Sequence, residues 1–393
     1  MKNLIKLFSL LVIITLTFSC GDDEISTTCE DNIENLKSNE IQVLGSHNSY
    51  RMSPPEEILA FVSSAVDMLP DGFDPGTWDY NNSTIDAQLD IFGIRSIELD
   101  VYRDPTGGMF YNRMGNAFVG QSVESGITRL QEPGLKVLHF PDFDYNSHFL
   151  TFKDALQYLK TWSAQNPNHL PFSVLVEAKE DSPDVMLPGM GLTATLPFIN
   201  NSVEEIENEI IDVFGQGSDN IFKPDDLRKN HPSLRSAAMN KEWPTLKDAR
   251  GKITFILMAR QGVIDEYVGI NPKMENRMMF VFTDPEKDQA AFLNINDPVN
   301  NFQEINNYVL DGFVVRTQAD SNTYEARDRN YDRMKKAFNS GAQIICTDYY
   351  MVDQRFASDS EWSDYHVSFP DNQLALINHN ADQTGLDGCE ILE

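Results

Sequence analysis

Apolar residues along this chain come in short runs separated by longer amphipathic stretches. The runs are "IQVLGS", "RSIELDVY", "LKVLHF", "FSVLVEAK", "KITFILMA", "MMFVFT", "GFVVRTQ" and "AQIICTDYY", all rich in Val, Ile, Leu and Phe. Between them, amphipathic patterning predicts helices at Phe152 to Ala164, Val203 to Phe214 and Tyr324 to Phe338. Strands that are apolar throughout and spaced by helices predict a parallel sheet covered on both faces. About eight such units in one chain predict an α/β fold, a (β/α)8 TIM-type barrel. Irregularity is expected around residues 220–250 and 278–309. Neither a Pro/Gly/Ser linker nor an internal repeat divides the chain, so residues 41–393 are expected to form a single domain.

The runs end in polar residues, and in a barrel the C-terminal strand ends carry the active site. Along "RSIELDVY", Ile97, Leu99 and Val101 point one way, toward the helices, and Glu98 and Asp100 point together the other way. Two adjacent carboxylates repel, and burying either alone is costly. A divalent cation between them removes both penalties; an arginine bridge is the alternative. "FSVLVEAKED" repeats the arrangement with Glu177 and Lys179. Of the seven histidines, only His47 and His139 end apolar runs, which marks them as candidate proton carriers. Asn48 follows His47 directly in "LGSHNSY". Neighbours on a regular strand face opposite ways, so both can serve one site only if the strand ends near Ser46. Asn48, Glu98, Asp100 and Glu177 form an all-oxygen set that suits Ca²⁺ first and Mg²⁺ second, and argues against zinc.

Charge and cysteines bound the remaining possibilities. The formal net charge of −29 disfavours nucleic acid and anionic membrane surfaces as partners. At the start, Lys2 and Lys6 precede an apolar stretch, Leu7 to Phe18, of signal-peptide length and short for a membrane span. Ser19 before Cys20 resembles the cleavage site of a bacterial lipoprotein. Residues 1–19 are therefore expected as a lipoprotein signal peptide, Cys20 as the lipidated residue and residues 20–40 as a tether. "GDDE" resembles the acidic tag of surface-displayed lipoproteins, which places the protein in the cell envelope, lipid-anchored in the outer membrane and exposed at the surface. Cys346 lies in an apolar run and reads as a buried free thiol. Cys29 and Cys389 remain, near the two chain ends, in a compartment that permits a disulfide between them.

In order, "GSHNSY", "ELDVY", "VLHFPD" and "VLVEAK" resemble the bacterial calcium-dependent phosphatidylinositol-specific phospholipase C family, and also the X region of its eukaryotic relatives. The resemblance covers about Gln42 to Lys179 and returns more weakly at "VVRTQAD" and "GAQIICTDYY". It implies that His47 and His139 are the catalytic histidines and that Asn48, Glu98, Asp100 and Glu177 hold calcium. The implied reaction is cleavage of a phosphodiester by the neighbouring inositol 2-hydroxyl, giving a cyclic inositol phosphate and diacylglycerol. His47 is then the base and His139 the acid. Lys179, Arg316 and Tyr349 are candidate substrate-binding residues; for Lys179 and Arg316, ion pairs with nearby carboxylates are the competing reading. The apolar loops "EEILAFVSSAVDMLPDGF" and "DVMLPGMGLTATLPF" follow catalytic strands and are candidates for insertion into a bilayer; an amphipathic helix with one buried face is the alternative for the first. A monomer is expected. The alternatives are a glycerophosphodiester phosphodiesterase, which shares the barrel, and a non-catalytic lipoprotein that binds inositol lipids or glycans.

Overall fold

The structure, a computed structural model, describes residues 28–69 and 72–393; the expected signal peptide and the lipidation site Cys20 lie outside them. Among the described residues, ten strands form one sheet: β1 (Ile41–Ser46), β2 (Ser96–Tyr102), β3 (Lys136–Val137), β4 (Phe172–Ala178), β5 (Ile253–Met258), β6 (Met279–Val281), β7 (Phe292–Asn294), β8 (Val314–Gln318), β9 (Ile344–Thr347) and β10 (Ala375–Ile377). Eight of them run parallel in the order β6-β5-β4-β2-β1-β9-β8-β7. The ends of this ribbon meet where Phe282 bridges Phe292 and the Phe280 and Phe292 rings touch at 4.9 Å. The result is a nearly closed (β/α)8 barrel. β1, β2 and β4 are buried along almost their whole length, as strands covered on both faces must be.

Several expectations need correction. "LKVLHF" is not a barrel strand: only Lys136 and Val137 are extended, and they pair antiparallel with β2 at Tyr102 and Val101. Apolar content carries no strand direction, so the sequence could not show this reversal. The missing barrel strand is β7, within "AAFLNIN". The helix expected from Tyr324 to Phe338 breaks into Tyr324–Asp328 and Asp332–Asn339 because Arg329 takes a left-handed conformation, φ +51°. Residues from Thr28 on are not a tether. Thr28 caps the helix Cys29–Asn35 with a capping box, and Ile33 and Leu36 join the barrel core.

β3 is held from outside the barrel. Glu209, on the helix Glu204–Phe214, accepts the Leu135 N–H at 2.9 Å. Gly134 (φ +122°) passes so close that an added Cβ would lie 2.9 Å from the same carboxylate oxygen. The fully buried Lys136 donates to the Glu132 and Gly134 carbonyls and pairs with Asp104 at 3.1 Å. These contacts aim the chain from β3 back along β2, which brings His139 to the barrel mouth.

At the opposite end, Cys29 and Cys389 form the expected disulfide, with a Cα–Cα distance of 5.5 Å, and Cys346 is a buried free thiol. The bridge joins residues 360 positions apart. Bridges of this kind typically contribute about 2–4 kcal/mol. Cys29→Ser should therefore lower stability in urea unfolding by that amount without loss of the barrel, and an unchanged midpoint counts against the bridge. A second prediction concerns Glu209, whose carboxyl burial pushes up to about 6. Between its ordinary 4.5 and this value the folded chain holds a proton that the unfolded chain releases, so stability falls as pH rises through that window. Glu209→Gln keeps the acceptor and should add on the order of 2 kcal/mol above pH 6 while flattening the slope. A pH–stability curve that superimposes on the parent's removes the argument.

Candidate active site

The parallel pairing of β2 with β4 sets Asp100 opposite Glu177. With Glu98, two positions back on β2, they bring one carboxylate oxygen each to within 4.8 Å of one another. Glu98 and Asp100 are buried, and the Glu177 side chain is 29% exposed. Neither oxygen of Asp100 meets a hydrogen-bond partner. Burial, followed by the charge of Glu177, raises Asp100 well above the usual carboxylate range. Glu177 is raised as well, chiefly by burial. An oxygen-only cluster with an orphaned buried carboxylate fits a hard divalent cation of the Ca²⁺ type.

Both candidate phosphate grips sit in ion pairs, as their competing reading has it. The buried Arg316 binds Glu98 at 2.6 Å and is held from behind by Asn294, Asn296 and the Cys346 sulfur. Lys179 is looser, 3.7 Å from Asp100, 3.6 Å from Glu177 and 2.9 Å from the exposed Asp181. Tyr349 is 3% exposed, with its ring packed against Tyr80, Trp362 and Tyr365. Its place is a wall behind the site, not a contact surface for substrate.

The turn "GSHNSY" has a local physical logic. β1 ends at Ser46, and Asn48 adopts φ +44°, so the chain leaves strand geometry where His47 and Asn48 both need to serve one mouth. Gly45 is required by close packing: a Cβ there would lie 2.9 Å from the Cys346 sulfur and 3.0 Å from Ser96. Ser49 stitches the turn to β2, donating its N–H to the Glu98 carbonyl and accepting the Glu98 N–H on Oγ. Asn82 ties the other side by donating to the carbonyls of His47 and Asn48. The Asn48 amide donates to the Tyr80 hydroxyl.

Each histidine is bonded through Nδ1 to a carboxylate that the sequence reading missed. His47 meets Asp348, just past β9, at 2.9 Å. His139 meets Asp144 at 2.7 Å, and Asp144 is also paired with Arg51 at 2.7 Å, both of the latter fully buried. The Arg51 guanidinium stacks on Tyr80 at 4.2 Å, and Trp78 packs edge-on against the His139 ring. Among the described residues neither Nε2 is engaged, so each imidazole keeps a nitrogen for a ligand. For His47, burial favours the neutral ring, but Asp348 and Glu98 outweigh it and push the pKa to about 9. His139 is depressed, because burial exceeds the pull of Asp144. In Asp144 the order reverses: burial raises it, but Arg51 and His139 prevail and hold it below its ordinary value. Taken alone, these preferences run opposite to a His47 base and a His139 acid. The charge of Glu98 helps hold the proton on His47, so its neutralisation favours the base form.

The carboxylate cluster yields a direct test. A cation that binds only the folded chain raises Tm with its concentration. Ca²⁺ should do so more strongly than Zn²⁺, and Asp100→Asn should abolish the shift. A Tm indifferent to Ca²⁺ and to chelator removes the metal site.

Comparison with known proteins agrees with this geometry. The profile of the Ca²⁺-dependent phosphoinositide phospholipase C family matches residues 36–379. A calcium-dependent phosphoinositol-specific phospholipase C from a Gram-negative Pseudomonas species, in its apo form, is 15% identical; the alignment covers 84% of this chain and 93% of that one, with a TM-score of 0.50. For a Ca²⁺-dependent phosphatidylinositol-specific phospholipase C from Streptomyces antibioticus the figures are 14%, 80%, 95% and 0.47. At such identities the Pseudomonas likeness speaks for the barrel alone. No curated protein matches the chain. The profile spans almost the entire barrel, and on that basis this chain belongs to the Ca²⁺-dependent phosphoinositide phospholipase C family of phosphodiesterases.

Proposed function

We propose that the protein cleaves phosphatidylinositol-type lipids into diacylglycerol and a cyclic inositol phosphate by acid–base catalysis between two histidines. The observation that carries this reading is the pair of imidazoles at one barrel mouth, each fixed through Nδ1 by a carboxylate beside the acidic cluster. His47 takes the proton of the attacking 2-hydroxyl, and His139 gives one to the departing glycerol oxygen. Asp348 and Asp144 fix the ring orientations and stabilise the charged forms. Asn48, Glu98, Asp100 and Glu177 are the residues that would hold calcium, which when bound supplies charge neutralisation at the phosphoryl oxygens and a lower pKa for the attacking hydroxyl. Lys179, the less constrained of the two cations, is placed to follow the phosphate.

The same face suits a lipid surface. The loops after β1 and β4 carry Val66, Val185 and Met190, which are 42%, 76% and 42% exposed. Beneath them lies a separate apolar cluster that includes Ile58, Val62, Trp78, Phe143 and Leu192. Insertion of those side chains would bring the mouth to the head groups. A lipid on Cys20 would hold the enzyme at the outer membrane, working as a monomer.

His47→Ala and His139→Ala should each lower turnover of phosphatidylinositol vesicles by about 10²–10⁴ while leaving Tm nearly unchanged. Inositol phosphate release, measured with Ca²⁺ and with chelator, reads this out. Near-normal turnover in either variant sinks that residue's role. Preference for glycerophosphoinositol over the intact lipid would favour the glycerophosphodiesterase reading instead.

A further inference from the structure

Among the described residues, the His47 ring makes one side-chain hydrogen bond, to the Asp348 carboxylate. Asp348 lies one residue beyond β9; the Thr347 carbonyl before it still accepts the His47 N–H at 3.1 Å, but the Asp348 N–H has no strand partner among the described residues. What fixes it is a second carboxylate, Asp320, which follows β8 on the neighbouring strand. Asp320 Oδ1 accepts the Asp348 N–H at 2.9 Å, and Oδ2 accepts the Thr347 hydroxyl. Thr347 Oγ1 in turn accepts the Tyr349 N–H at 2.8 Å. Both acceptor oxygens of Asp320 thus clamp the Thr347–Tyr349 turn. The Ala319 N–H, donated to the Cys346 carbonyl at 2.8 Å, aligns the two strand ends.

We propose that Asp320 is a positioning residue for catalysis, holding the Asp348 backbone so that its carboxylate faces His47 Nδ1. The inference rests on the reading of His47 as a proton carrier. A turn that served the fold alone would be better capped by a neutral Asn or Thr. Asp320 is instead a carboxylate only 3% exposed, placed beside a second carboxylate. Burial, and then the charge of Asp348, raise it to about 7. Retaining a carboxylate in so unfavourable a position is the pattern expected where geometry serves chemistry. It acts without touching substrate.

The test uses the full chain with Ca²⁺ on phosphatidylinositol vesicles, together with hydrogen exchange across residues 345–352. Asp320→Ala should lower kcat by about tenfold to a hundredfold, the range that misplacing a reacting group produces, with KM unchanged and faster exchange at the Asp348 amide. Asp320→Asn keeps an acceptor for the Asp348 N–H and turns a donor toward Thr347, so it should restore most of kcat. In an Asp348→Ala background, Asp320→Ala should cost nothing more. Full kcat in Asp320→Ala overturns the proposal, as does an Asp320→Asn variant as damaged as the alanine. If the alanine variant does not fold, Thr347→Val, which removes one of the two clamps, should lower kcat at constant KM, and an unchanged kcat overturns the proposal. Failure of the underlying reading looks different: His47→Ala would keep its turnover whatever Asp320 does.

Discussion

Carboxylates that share one face of a barrel mouth repel one another. Asp100, with no hydrogen-bond partner and no solvent, bears that repulsion most directly. Strand pairing leaves no escape, because the register of β2 against β4 fixes Asp100 beside Glu177 wherever the side chains turn. The neighbourhood is arranged around this constraint. Arg316 is buried under Glu98, and Lys179 stands between two of the three acids. Three hard carboxylate oxygens held this close together are a set that a divalent ion can bind and relieve. Glu98 also helps hold the proton on His47, so a cation bound to this cluster would favour the neutral imidazole.

The turn after β1 does more than present His47. Arg51, four residues on, anchors Asp144 and so supports the other histidine on the far side of β2. One short segment therefore contributes a candidate proton carrier, a candidate ligand, the stitch to Glu98 and the counter-ion behind His139. Such concentration explains why "GSHNSYR" is polar where a core strand would be apolar. His47, Asn48, Ser49 and Arg51 each have a named partner, which is the condition for burying them, whereas the buried Tyr50 hydroxyl meets none among the described residues.

Much of this was legible in the chain because it is local. Alternation in "SIELDV" put Glu98 and Asp100 on one face, "IQVLGSH" announced a strand that stops, and the placing of cysteines left one plausible bridge. The unread parts are those where pairing decides and pattern does not. β3 is too short and of the wrong direction for periodicity to reveal, and β7 is only three residues long. Asp144 and Asp348 look like ordinary loop acids until the fold sets them against imidazoles. Tyr349 was a candidate substrate contact, yet aromatic neighbours from distant loops bury it. The segment from Thr28 looked like a linker by position, but Ile33 and Leu36 had core to fill.

The bridge between Cys29 and Cys389 bears on the order of events during synthesis. A chain that emerges N-terminus first shows Cys29 to oxidants long before its partner exists, and the thiol that arrives in the interval is Cys346. Only once β9 has docked between β1 and β8 is that competitor sealed away, at 1% exposure. Premature pairing of Cys29 with Cys346 would keep β9 out of the sheet and would have to be undone by thiol exchange. Closure of the barrel thus favours the correct bridge by removing the competing thiol. In the finished molecule the crosslink ties the first helix to the far end of the chain, and a sealed Cys346 leaves it no rival.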